Sequence, residues 1–133
     1  MSKPFFSVII LAFDRPDLLK RALDSVVLQT YKNYEILVID GGPKHLSEEI
    51  STNYSSKPIY FKIFDHGIGK ACDFGLLKAE GEWSAFLDDD DEYLPNHLEE
   101  RYKIIVNDPN LDLLYNGFKT IYNSPSNSDS MLR

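Results

Sequence analysis

Residues 83–92 of the chain read Trp-Ser-Ala-Phe-Leu-Asp-Asp-Asp-Asp-Glu, a short apolar stretch that runs directly into four consecutive aspartates. The apolar part is typical of a buried strand. Adjacent carboxylates repel one another and raise at least one pKa, and a bound cation removes that cost. Mg²⁺ and Mn²⁺ prefer carboxylate oxygens, and Mg²⁺ commonly shares its coordination shell with substrate phosphates. The stretch therefore predicts either a metal–phosphate site at the end of a strand or a solvated acidic loop.

Strand and helix patterns alternate along the rest of the chain. This alternation predicts an α/β fold with a Rossmann-like, doubly wound, mostly parallel sheet between helices, in three α/β/α layers. The predicted strands cover residues 5–12, 35–40, 58–64, 84–87 and 112–118, with 119–122 extending the last or starting another, and the predicted helices cover 18–28, 44–51, 70–80 and a stretch opened by Pro95.

Acidic residues follow three of these strands. Asp14 follows the first strand, Asp40 ends the second, and the run 88–91 ends the fourth. The carboxyl ends of parallel strands share one edge of a sheet, where ligands bind in such folds. This shared edge favours a site over a solvated loop for the acid run. For Asp14 alone, a helix N-cap is the favoured interpretation.

Length and charge limit the classes of function. The chain has 133 residues and a hydrophobic content of 43%, which predicts one domain with a real core. We place this domain over residues 1–123 and predict a flexible polar tail over 124–133. The net charge is −7 and no basic face is evident, so we expect no nucleic-acid partner.

The chain's start and its single cysteine, Cys72, bear on location. One cysteine cannot form an intrachain disulfide, which is compatible with a reducing cytoplasm. The first residues lack a signal-peptide pattern, and no apolar run is long enough to span a bilayer. We therefore expect a cytoplasmic protein without a transmembrane segment. Peripheral association with the inner face of a membrane stays open.

Glycine-rich nucleotide motifs are incomplete in this chain. The turn after the first strand has no glycine, which argues against a nicotinamide-dependent enzyme. Gly69-Lys70 is followed by Ala71, where a P-loop needs Ser or Thr. Lys70 nevertheless stands near a predicted helix start, where free N–H groups attract phosphate. It is either a phosphate contact or a solvent-facing lysine.

Three stretches in this order resemble the nucleotide-sugar-binding half of GT-A fold glycosyltransferases, in particular the large inverting family two. The resemblance covers most of residues 4–118, and its fold is the α/β sheet predicted above. The stretches are 7–41 (SVIILAFDRP followed by a helix and QTYKNYEILVIDG), 67–83 (GIGKACDFGLLKAEGEW) and 86–95 (FLDDDDEYLP).

The resemblance implies roles at matching positions. The Asp-x-Asp signature falls on Asp88 and Asp90, which implies that they hold Mn²⁺ or Mg²⁺ on the donor diphosphate. Asp88 or Asp89 would hold the ribose. Asp40 matches the acid that accepts a hydrogen bond from uracil. The loop that lies against base and ribose corresponds to Ala12, Phe13, Asp14 and Arg15.

Departures from the family pattern matter as well. Asp14 stands where members usually have Asn, and Cys72-Asp73 stand where an Arg-Asn pair is common. The loss of that arginine removes a diphosphate contact, for which Lys70 is a candidate replacement. Inverting members carry a general base in an acceptor-binding half, and no residue here can be assigned that role.

Three hypotheses follow. The first is a glycosyltransferase domain that binds a nucleotide diphosphate sugar, preferably a UDP-sugar, and passes the sugar to a glycan, lipid-linked or protein acceptor. The second is a non-catalytic nucleotide-sugar-binding module, or a remnant that needs a partner or a missing half. The third is a nucleotidyltransferase-like enzyme, which the absence of a basic glycine-rich loop after the first strand disfavours.

Overall fold

A computed structural model of the chain describes residues 2–44, 46–64, 67–124 and 127–132. The elements alternate between strand and helix up to the fourth helix, as the sequence predicts. In chain order they are β1 (Phe6–Ala12), α1 (Pro16–Val27), β2 (Tyr34–Asp40), α2 (Glu48–Thr52), β3 (Ile59–Lys62), α3 (Ile68–Lys78), β4 (Trp83–Asp88), α4 (His97–Asn107), β5 (Ile121–Ser124) and β6 (Asn127–Leu132).

The four strands β1 to β4 form one sheet in the order β3-β2-β1-β4, and every pair in it is parallel. The central strands β1 and β2 are almost continuously apolar and buried, as expected of parallel strands that are covered on both faces. All four carboxyl ends therefore lie at one edge of the sheet, and the predicted α/β fold class is confirmed.

Helices cover both faces of this sheet. On one face, Ile9, Leu37 and Ile39 pack against Ala71 of α3. On the other face, the hydroxyl of Tyr34 donates to the carbonyl oxygen of Val26 in α1 at 2.9 Å. The buried stripe of α1 follows helical spacing and faces the core. It consists of Leu19, Ala22, Leu23 and Val26.

The chain divides into two compact units, Met1–Tyr102 and Lys103–Arg133, whereas the sequence places one boundary at residue 123. The predicted strand over 112–118 is wrong, because this segment has no strand in the structure. Its Asp, Asn and Gly residues are depleted in strands, which offsets its apolar residues.

The polar end of the chain differs from the prediction as well. β5 and β6 pair as an antiparallel hairpin, and β6 lies inside the segment predicted to be a loose tail. A search for apolar periodicity misses β6, whose sequence is mostly polar. Positions 125, 126 and 133 of the predicted tail lie outside the described residues.

Within the described ranges, none of the helices combines the length and the apolar character that a bilayer crossing requires.

Candidate functional site

The acid run begins at the last residue of β4 and continues into the turn behind it. Asp88, Asp90 and Asp91 are exposed, and each offers a carboxylate oxygen within 4.8 Å of the others. Partial burial and the three neighbouring aspartates raise the pKa of Asp91. The cluster thus concentrates negative charge, which a bound cation would offset.

Asp89 behaves differently from its three neighbours, because it is fully buried. Its backbone N–H donates to Leu11 at 3.1 Å, which continues the β1–β4 ladder and turns the side chain inward. Its carboxylate accepts a hydrogen bond from the backbone N–H of Phe13 at 3.0 Å. Burial raises the pKa of Asp89, and its partners Phe13 and Arg15 oppose that rise.

Arg15 is the cation that pairs with the buried carboxylate of Asp89. Its Nε donates to Asp89 Oδ2 at 3.2 Å, and a second nitrogen donates to Oδ1 of the same carboxylate. Its third nitrogen lies 3.4 Å from Asp90 Oδ2. The hydrogen bond to Asp89 raises the pKa of Arg15. A guanidinium held by two parallel bonds has a fixed orientation.

Asp14 is not the predicted N-cap of α1. The N-cap is Arg15, which makes no capping hydrogen bond with its side chain. Asp14 adopts a left-handed backbone with φ of 50°, and its carboxylate accepts the backbone N–H of Lys44 at 3.0 Å. The positive φ turns its side chain towards the loop after β2. Asp14 therefore joins the β1–α1 loop to that loop.

Asp40 is fully buried at the end of β2 and has its own set of partners. Its carboxylate accepts hydrogen bonds from the hydroxyl of Tyr60 and, at 2.9 Å, from the N–H of Gly42. Lys62 Nζ lies 3.7 Å from Asp40 Oδ1 and has no hydrogen-bond partner among the described residues. Burial and the bond to Asp40 raise the pKa of Tyr60.

Three further predicted positions are placed as follows. Ala12 is buried and lies in register with Asp40 across β1 and β2. Phe13 is 53% exposed, beside Gly41 of the next loop. Lys70 is exposed in the first turn of α3.

The structure thus brings Phe13, Arg15, Asp89 and Asp90 into one connected group, and it places Asp40 in a separate buried cluster. The roles that the resemblance implies for these residues stay predictions. Sequence reasoning missed Asp91, because four adjacent aspartates give no signal that separates them. It also missed Tyr60 and Lys62, although a lysine inside an apolar strand is a signal for a buried acidic partner.

Known sequences and structures share this architecture. Among curated proteins, an uncharacterised glycosyltransferase of Rickettsia typhi is 35% identical over 119 residues, covering 89% of this chain and 37% of the relative. A second relative, from Rickettsia prowazekii, is also covered over 37% of its length. The chain therefore spans little more than a third of the length of these relatives.

Among solved structures, S. aureus TarS (residues 1–349) superposes with a TM-score of 0.71 at 25% identity, over 77% of this chain and 32% of that chain. Its complex with UDP-GlcNAc superposes with a TM-score of 0.70 at 22% identity, over 77% of this chain and 31% of that chain. The mannosyltransferase PcManGT of Pyrobaculum calidifontis, in complex with GDP-Man and Mn²⁺, shares the fold with a TM-score of 0.61 at 19% identity, over 70% and 29% of the two chains.

The family model for glycosyl transferase family 2 matches residues 7–131, nearly the whole chain. The four-stranded parallel sheet, the acid run behind β4 and this match agree, and the chain belongs to glycosyl transferase family 2.

Proposed function

We propose that this chain binds a nucleotide diphosphate sugar through a divalent cation, Mn²⁺ or Mg²⁺, and serves as the donor-binding part of an inverting glycosyltransferase. The observation that carries the proposal is the cluster of Asp88, Asp90 and Asp91 carboxylates behind β4. The resemblance implies Asp88 and Asp90 as ligands, and we add Asp91 because its carboxylate lies within 4.8 Å of theirs.

The cluster fits a hard cation in charge and in size. Mg²⁺ bonds oxygen at about 2.1 Å, so two opposite ligands lie roughly 4.2 Å apart. The oxygens of Asp88, Asp90 and Asp91 lie within 4.8 Å of one another, so small side-chain movements suffice. Their exposure leaves room for phosphate oxygens in the coordination shell. A bound cation supplies charge neutralisation to the leaving diphosphate.

Uridine is the nucleoside that we propose for the donor, and a hexosyl group is the sugar. The UDP-GlcNAc complex of TarS makes UDP-GlcNAc a suitable first ligand. On this proposal Asp40 accepts a hydrogen bond from the uracil N–H, as the resemblance implies. Asp40 is fully buried, so this contact requires Tyr60 or the turn of Gly41 and Gly42 to move aside.

Transfer of the sugar needs a base beside the acceptor hydroxyl. We assign this role to none of the described residues, and the acceptor stays a proposal at the level of a glycan, a lipid-linked sugar or a protein. A cytoplasmic location, including the inner face of a membrane, is likewise proposed.

A second candidate function is a nucleotide-sugar-binding module without turnover of its own. The observation that favours it is that the chain spans only 37% of the R. typhi relative, so the whole reaction need not reside here. Release of UDP from a UDP-sugar by the purified chain, with or without an added acceptor, separates the two functions. Binding without UDP release supports the module.

Thermal unfolding tests donor binding directly. We expect UDP with Mn²⁺ to raise the melting temperature, since a ligand that binds only the native state stabilises it. EDTA should remove most of this shift. Asp90→Asn should abolish the Mn²⁺-dependent part, whereas Asp17→Asn, an exposed acid in the first turn of α1, should not. The absence of any shift with millimolar nucleotide and metal would exclude both functions.

A further inference from the structure

We propose that Arg15 binds the β-phosphate of the nucleoside diphosphate. Asp89 is then the positioning residue that holds Arg15 beside the carboxylate cluster of Asp88, Asp90 and Asp91. The inference rests on the proposed donor binding. It changes two assignments implied by the resemblance, which places Arg15 against base and ribose and allows Asp89 to hold the ribose.

The partners of Asp89 leave it badly placed for a ribose. The carboxylate is fully buried, and both of its oxygens are engaged by Arg15, with Phe13 N–H as a further donor at 3.0 Å. A ribose hydroxyl would have to break this pairing and leave a buried charge without its cation, which is costly. Asp89 therefore acts on the ligand through Arg15.

The two hydrogen bonds to Asp89 fix the position of the Arg15 guanidinium. Nε and one terminal nitrogen are bound to Asp89, which leaves the other terminal nitrogen facing Asp90 Oδ2 at 3.4 Å. The Arg15 side chain is 46% exposed, so a ligand can reach it. A positive group is thus fixed at the rim of the acidic cluster that we propose as the metal site.

Charge then indicates what lies between Arg15 and a bound cation. A divalent ion on Asp90 repels the guanidinium, since it takes over the carboxylate that Arg15 faces. An anion between the two positive charges reverses this repulsion, and a diphosphate bound to the metal provides such an anion. Guanidinium groups match phosphate geometry well. Arg15 would thereby supply the phosphate contact that the resemblance places at Cys72-Asp73, for which Lys70 is the other candidate.

The test compares UDP with UMP, which lacks the β-phosphate, by calorimetric titration of the full chain in saturating Mn²⁺. Arg15→Met should weaken UDP about tenfold, as expected for one charge-assisted hydrogen bond, and should change UMP by less than about twofold. Mn²⁺ alone should bind about threefold more tightly, because a competing positive charge is gone. Arg21→Met is the matched control, since Arg21 pairs with Glu92 on the surface.

Asp89→Asn completes a double-mutant cycle. It should weaken UDP in the wild-type background and add nothing in the Arg15→Met background, because its effect passes through Arg15. Circular dichroism checks that each variant folds. If Arg15→Met does not fold, Arg15→Lys replaces it and should also weaken UDP selectively, because lysine keeps the charge but not the two-pronged hold.

The outcomes separate the two levels of proposal. Equal loss of UDP and UMP affinity, no loss of either, or additive effects of the two substitutions would overturn the roles of Arg15 and Asp89 and leave the donor-binding proposal standing. Failure of the wild-type chain to bind UDP at all overturns the proposed function and this inference with it.

Discussion

The side chain of Gln29 accepts a hydrogen bond from the backbone N–H of Leu98 at 2.9 Å, although 69 residues separate them. Gln29 is fully buried and also donates to the carbonyl oxygen of Leu94 at 2.6 Å. Gln29, two residues past the end of α1, thereby bonds one backbone group in the first turn of α4 and one in the segment before it. It anchors the segment that follows the acid run to the body of the first unit.

Replacement of Gln29 by Met should therefore be costly. The change keeps a similar shape and leaves the buried N–H of Leu98 without its partner, whereas the carbonyl oxygen of Leu94 keeps the hydrogen bond from the N–H of His97. We expect a loss of roughly 1–3 kcal/mol in the free energy of unfolding, measured by urea denaturation. Asn107→Met, at an exposed helix end, should cost less than about 0.5 kcal/mol. Similar losses in both variants would contradict the buried network.

The stability of the fold should be nearly unchanged by Asp14→Asn and reduced by Asp14→Ala. Both Asp and Asn adopt a left-handed backbone readily, and both can accept the N–H of Lys44. We expect Asp14→Asn to lie within about 0.5 kcal/mol of wild type, and Asp14→Ala to lose roughly 1–2 kcal/mol. The free energy of unfolding measures both, with Asp17→Ala as the control. Equal stability of the Ala and Asn variants would show that the contact with Lys44 contributes nothing.

Two glycines in α3 should respond oppositely to alanine. A Cβ on Gly75 would lie 2.6 Å from Ile9 Cγ2, so Gly75→Ala should destabilise the fold by about 1–3 kcal/mol through overpacking. Gly69 has open space, so Gly69→Ala should be neutral or stabilise by up to about 1 kcal/mol. Thermal melting of the two variants side by side checks this. A stabilised Gly75→Ala variant would mean that α3 packs less closely on β1.

His97 should make the fold sensitive to acid. Its ring stacks on Tyr93, and burial lowers the pKa of His97 to about 4. The unfolded state then binds more protons than the native state between pH 6.5 and 4, so this contribution to stability is present above pH 6.5 and is lost as the pH falls. A shift of this size corresponds to about 3 kcal/mol for a fully buried ring, and the partial exposure of His97 reduces it to on the order of 2 kcal/mol.

The variant His97→Gln isolates this effect from that of the aspartates. The raised pKa values of Asp89 and Asp91 act with the opposite sign in acid, and they are common to both proteins. Plotted against pH, the difference in unfolding free energy between wild type and variant should slope between pH 4 and 6.5 and be flat above. A difference in unfolding free energy that stays constant over the whole pH range would contradict the lowered pKa of His97.

The sequence predicted the fold well where burial determines the pattern. β1 and β2 are unbroken apolar strands, and the alternation with helices implied the parallel sheet that the structure confirms. Prediction failed at residues 112–118, where apolar residues without a pairing strand do not make a strand. It also gave no strand at β6. The sequence of β6 is mostly polar and shows no apolar periodicity, and its pairing with β5 cannot be read from the sequence.

The sequence indicated which acidic residues gather at this edge of the sheet. It did not indicate the hydrogen bonds and ion pairs that connect them to other side chains. Strand order brought Asp14, Asp40 and the acid run to one edge, as the sequence implied. The pairing of Asp89 with Arg15 spans 74 residues, and no local pattern encodes it. The burial of Asp40 under Tyr60 depends on β3 lying beside β2, which is a property of the assembled sheet.

The loop from Phe13 to Arg15 is held on two sides by hydrogen bonds in the absence of a ligand. Asp14 is tied to Lys44 N–H on one side, and Phe13 N–H and Arg15 are tied to Asp89 on the other. The conformational entropy of this loop is therefore lost during folding, when the core forms. A molecule that docks here meets a surface already in shape, and none of its binding energy is spent on immobilising the loop.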